Sequence, residues 1–102
     1  MIATVYAVFA DTAEAERIAT MVVDEGLAAC ANILAPCRSI YRWQGRVERA
    51  DEVPALFKTA QAEALIARLA ELHSYDVPAA VVWPIVAAHP AYAEWVKAEA
   101  GA

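Results

Sequence analysis

An α+β domain of two layers is the fold class that the sequence predicts, on three observations. Strand-like and helix-like runs follow one another in the order β, α, several β, α, β and a short α. The chain has 102 residues, 61% of them hydrophobic, which is one domain over 1–102 with no room for a second. The first and last strand-like runs are apolar on both parities, so neither face of the sheet is wet. With the helices on one face of a mainly antiparallel sheet, this order suits the ferredoxin-like split βαβ plan, extended by a short C-terminal helix.

Residues 2–9 are short, β-branched and aromatic, and stop at the polar pair Asp11-Thr12, which makes them the first strand. Asp11 with Glu14 three residues on resembles a capping box. Ala15, Ile18, Ala19 and Val22 then recur at helical spacing until Gly26 ends the first helix. Residues 27–34 and 39–43 read as strands joined around Pro36, and Gln44-Gly45 marks a turn before Arg46-Val47-Glu48. Residues 53–59 read as a separate strand whose Pro54 suggests an edge or a bulge. Ala62, Leu65, Ile66, Leu69 and Leu72 stripe a second helix that ends near His73-Ser74-Tyr75. Residues 79–86 form the last strand, and His89-Pro90 opens the final helix, which carries Tyr92, Trp95 and Val96.

Val5, Ala7 and Phe9 share one side of the first strand, with Ile2, Tyr6 and Val8 on the other. In the last strand Val81, Trp83 and Ile85 alternate with Ala80, Val82 and Val86. Two helices cover one sheet face only. The expected cover for the second is another copy of the chain. A chain this small also buries only about 60% of its extended surface, so subunit contacts would add stability. Of the hydrophobic residues 26 are alanine, which leaves an adequate rather than a generous core.

The net charge of −5 repels phosphate backbones and gives no general grip on nucleic acid or an anionic membrane. No apolar run is long enough to span a bilayer, since residues 77–88 are interrupted by Pro78 and Pro84. The first residues lack the positive start of a secretory signal, which points to the cytoplasm. Cys30 and Cys37 are too few for a disulfide framework, and a bridge between them would need the chain to fold back at Pro36.

From Gly26 onward five blocks appear in order: Gly26-Leu27-Ala28-Ala29-Cys30-Ala31-Asn32, Ser39 through Glu48, Glu52-Val53 with Phe57-Lys58-Thr59, His73 through Pro78, and Tyr92-Ala93-Glu94-Trp95. In these the chain resembles the CutA divalent-cation tolerance family. The resemblance covers nearly the whole chain, and its most specific part is Tyr41-x-Trp43-x-Gly45-x-x-Glu48. It implies a tight homotrimer of ferredoxin-like subunits, arranged as in the nitrogen-regulatory PII proteins, and a link to copper and other divalent metal ions. Two positions depart from the family pattern: Ser74 stands where members usually carry Pro, and Ala79 where they usually carry Glu. No carboxylate therefore follows Pro78.

Cys30 and His73 are the candidate metal residues. As thiolate, Cys30 suits Cu(I) or Zn; the other reading is a buried, inert cysteine. His73 either binds metal or interacts as a cation with the C-terminus of the second helix. No local pair has metal-ligand spacing, so ligands would have to converge from distant segments or from different subunits. No cofactor is obligatory on this reading. Trp43, Glu48, Lys58 and Tyr75, all inside the blocks, are the candidates for a ligand in clefts between subunits, with Glu48 and Lys58 expected to pair across a hairpin.

Arg38, Arg42, Arg46 and Arg49 give their segment a charge of +3, which makes either an anion-binding rim or a solvated hairpin paired with acids of a neighbouring subunit. Trp43, Trp83 and Trp95 read as core or interface anchors rather than stacking platforms. Three functions compete: a non-enzymatic trimeric metal-response protein, a PII-like module sensing a small anionic metabolite, and an enzyme using Cys30 or His73. No segment joins a nucleophile, a base and an oxyanion donor, which sets the enzyme last.

Overall fold

The computed structural model describes residues 1–101 as five strands and three helices: β1 (Ala3–Phe9), α1 (Thr12–Asp24), β2 (Cys30–Ile33), β3 (Cys37–Trp43), β4 (Arg46–Thr59), α2 (Ala62–Leu72), β5 (Ala80–Pro84) and α3 (Pro90–Ala100). The strands form one antiparallel sheet in the order β2-β4-β1-β5, and β3 pairs with the outer half of β4. The class is α+β, as the element order predicts.

Three local signals act as read. The Asp11 side chain caps α1 by accepting the Glu14 N–H at 2.8 Å. At the other end Gly26 takes φ +72°; its N–H reaches the Val23 carbonyl and the Leu27 N–H reaches Val22, which is a Schellman closure. Between β3 and β4, Gln44 and Gly45 both have positive φ, as a tight turn between Trp43 and Arg46 requires.

The core lies between the sheet and the pair α1, α2. Val5, Ala7 and Phe9 of β1 with Ala55 and Phe57 of β4 pack against Ile18, Val22, Leu65 and Leu69. Phe9 meets Phe57 edge to face at 6.3 Å. Arg68 of α2 makes a two-pronged bond to Glu25 at the end of α1, at 2.8 and 2.9 Å.

Several boundaries differ from the sequence reading. Residues 46–48 and 53–59 belong to one strand of fourteen residues, because residues 48–52 stay in register with β3. Glu48 and Lys58 therefore sit ten residues apart on the same strand, roughly 33 Å at the usual rise, and do not pair. Pro54 lies inside the sheet: its carbonyl accepts the Leu34 N–H, but it has no N–H to return, and the β2 ladder stops one residue earlier at Ile33–Ala55. The strand expected over 27–34 shortens to four residues, and the one over 79–86 to five. The final helix is as long as α2, at 11 residues each.

α3 does not join α1 and α2. Cys30 alternates with Ala31 and Ile33, which pack on the core, so its thiol points to the opposite side of the sheet, where Tyr92 of α3 meets it at 3.4 Å. The helices thus do not all lie on one face. α3 is anchored by Val96 and Ala100, both fully buried, whereas Trp95 is 43% exposed in the single chain, which leaves it the interface rather than the core half of the expectation. Trp43 and Trp83 are exposed to a similar degree.

Candidate functional site

The extension of β4 past the main sheet creates the site. Beyond Val53 it pairs only with β3, and the two form an arm that overhangs the loop after α2. Paired residues share a face, so Ser39, Tyr41 and Trp43 of β3 lie on one side with Glu52, Glu48 and Arg46 of β4. A cleft of about 590 Å³ lies under this face. Tyr41, Trp43 and Glu52 line it from the arm, Tyr75 and Asp76 from the loop after α2, and Val8 of β1 at its base.

Glu52 and Tyr75 are joined across the cleft: the Tyr75 hydroxyl donates to Glu52 Oε2 at 2.8 Å. Burial and this carboxylate together push the Tyr75 phenol well above its ordinary value, so it stays a neutral donor. Among the described residues, the only charged side chains lining the cleft are Glu52 and Asp76.

His73 anchors the loop that bears Tyr75. Its ring is buried and stacks on Phe9 at 5.0 Å, and the Tyr75 ring tilts against it at 4.6 Å. Nδ1 accepts the Tyr75 N–H at 3.1 Å, so the proton of the neutral ring is on Nε2, which donates to the Val8 carbonyl at 2.7 Å. Both ring nitrogens are thereby used inside the chain. Glu14 supports the same corner: Oε1 accepts the Ala10 N–H and Oε2 the Ser74 N–H, each at 3.2 Å. Burial raises this carboxyl, but the bonds from Ser74 and from the Ala10 N–H outweigh it and hold it below its ordinary value. A proline in place of Ser74 would lack the N–H that Glu14 receives.

The sequence candidates therefore divide. Trp43 and Tyr75 line one cleft, and Glu48 stands beside it as the cross-strand neighbour of Tyr41. Lys58 is at the far end of β4, donating to Asn32 Oδ1 at 3.3 Å opposite Cys30. Cys30 and His73 are not brought together. The thiol is level with Thr4 through Lys58 and faces away from the core, while His73 is bonded at Val8, about 13 Å further along β1. No group of three or more His, Cys, Asp or Glu able to hold a metal occurs among the described residues, so the residues of one chain do not fit a closed metal centre. Sequence reasoning missed Glu52 and Asp76 as lining residues; the alternation of Ser39, Tyr41 and Trp43 was the signal for the face, but which acids oppose it follows only from the pairing register.

The arginine segment also resolves in part. Arg38 bonds Asp51 of its own arm at 2.9 Å, an exposed pair within one chain rather than between subunits. Cys30 and Cys37 are both free, paired with Lys58 and Glu52 respectively on β4 and thus well separated.

Residues 3–99 match the family described as CutA1 divalent ion tolerance protein. The chain belongs to the CutA1 family. A relative from Pyrococcus horikoshii, named divalent-cation tolerance protein CutA, is 38% identical over 97 residues, 93% of this chain and 94% of its own. The solved structure of the divalent cation tolerance protein from Thermus thermophilus superposes with a TM-score of 0.95 at 37% identity, covering 99% of this chain and all of the other. That of a periplasmic divalent cation tolerance protein CutA from Archaeoglobus fulgidus reaches 0.93 at 30% identity, covering 97% and 98%. No helix among the described residues is long and apolar enough to cross a membrane.

Proposed function

We propose that this CutA1 member is a non-catalytic divalent-cation tolerance protein, acting as a homotrimer of ferredoxin-like subunits packed in the PII manner. The observation that carries the reading is the full-length likeness to relatives named for divalent-cation tolerance. The strand order β2-β4-β1-β5, in which β4 splits the β1-α1-β2 unit, supports the subunit plan. The exposed Val81 and Trp83 of the edge strand β5 support assembly, since a bare apolar edge invites a partner chain.

Copper or another divalent ion binds weakly on this reading, with no obligatory cofactor, because the described residues of one chain offer no cage and the two soft ligands, Cys30 and Cys37, stand opposite Lys58 and Glu52, well apart along β4. The alternative, a PII-like module for a small anionic metabolite, has less support: among the described residues the cleft is lined by two carboxylates and no cation. A melt series of the purified protein against copper, zinc and nucleotides separates the two, since a ligand of the native state raises Tm by mass action. Stabilisation by copper or zinc alone supports the tolerance reading. Stabilisation by nucleotide alone removes it.

A further inference from the structure

Among the described residues, the cleft under the β3–β4 arm is walled mainly by aromatic and apolar side chains and its charged lining is of one sign, with Arg46 on the same arm face opposite Trp43 but outside the lining. We propose that it is a site for a small organic ammonium ion, one bearing N–H donors on an apolar stem. The rings of Tyr41 and Trp43, two residues apart on one face of β3, stand exposed toward the cleft, and Tyr75 closes it from the loop after α2. Aromatic faces attract a cation through their quadrupole, most strongly for Trp and where water is excluded. Glu52 and Asp76 add two negative charges, and no basic residue is among the described lining residues.

The hydrogen bonding selects the donor. Glu52 Oε2 receives the Tyr75 hydroxyl, which fixes the carboxylate and leaves Oε1 to accept from a ligand. A primary ammonium can use that oxygen while its stem lies on Val8, Val77 and Ala79. A bare divalent ion is served less well, since hard cations need six or more oxygens and no third ligating side chain joins these two carboxylates among the described residues. About 590 Å³ is the size of a small-molecule site.

The site stands apart from the metal-tolerance reading. Its test is calorimetric titration of the full chain, in its own solution assembly, with n-butylammonium, n-butanol and butyrate. The expected result is saturable binding of the ammonium only, weakened at least about tenfold by Glu52→Gln and by Trp43→Leu. Glu63→Gln, in the first turn of α2 at the end away from the loop that bears Tyr75, leaves it unchanged. Circular dichroism and solution mass confirm that each variant keeps its fold and assembly. Equal binding of n-butanol would make the cleft a plain apolar groove and overturn the proposal. So would no binding at millimolar ammonium, or full affinity in a folded Glu52→Gln. Zinc chloride that displaces the ammonium and itself requires Glu52 would assign the cleft to metal instead. Failure on any of these counts leaves the copper and zinc melts to decide the tolerance reading separately.

Discussion

His73 gives its Nε2 proton to the carbonyl oxygen of Val8 over 2.7 Å, tying the end of α2 to the middle of the sheet. With Nδ1 already accepting from the Tyr75 N–H, the ring is a neutral brace that sets the loop carrying Tyr75 and Asp76 against the arm. A residue with metal-binding chemistry is thus used for architecture.

Replacing His73 with Ala removes a ring stacked on Phe9 and orphans one buried acceptor and one donor. The expected cost is about 2–5 kcal/mol, read as a lowered denaturant midpoint. Copper affinity of the folded fraction should not change. A loss of copper binding with unchanged stability would make the ring a ligand after all.

Glu14 should govern the acid limb of stability. Its carboxyl titrates below the ordinary value of 4.5 in the folded chain, so its contribution is complete above that pH and drains away as pH falls through the depressed value. Glu14→Gln is expected to flatten the dependence of Tm on pH below about 4.5 and to cost about 1–3 kcal/mol at neutral pH, because one backbone donor loses its acceptor. Ser74→Pro, which deletes a donor, should move the acid limb upward. Identical acid limbs in all three proteins would dissociate Glu14 from acid stability.

The phenol of Tyr92 is pushed up to about 12 by its bond to the Cys30 thiol and by burial. Cys30→Ala should return one of the four tyrosines toward the ordinary value of 10 in an absorbance titration of the phenolate. Since the neutral phenol is the favoured form, the stability it lends is complete below pH 10 and is lost as pH rises toward 12. Superimposable titrations would show that the contact does not persist in solution.

Trp83 stacks on Tyr6 at 5.0 Å on the sheet face turned away from α1 and α2, and about half of it remains exposed. Trp83→Asp should shift the solution mass of the assembled protein toward one chain, because a charge there opposes apolar contact. A wild type that is already monomeric at micromolar concentration would remove the trimer proposal.

Much of the fold was legible because its signals are local. The Asp11 cap, the Gly26 stop and the Gln44-Gly45 turn each depend on a few consecutive dihedral angles, and all three act as their residue types predict. The two-sided apolar strand β1 was legible for the same reason, since a period of two is visible without knowing any partner.

The sequence by itself determined the order of the elements, the residues that cap and turn them, and the family whose blocks they carry. Tertiary structure alone decided that residues 46–59 are one strand, that Glu52 meets Tyr75, that Tyr92 meets Cys30 across the sheet, and that His73 has no ring nitrogen left for a ligand. The physical reason is range. A cap or a turn is fixed by neighbours in the chain, whereas a strand's register and a side chain's partner are fixed by competition among segments tens of residues apart, 23 for Glu52 and Tyr75 and 62 for Cys30 and Tyr92.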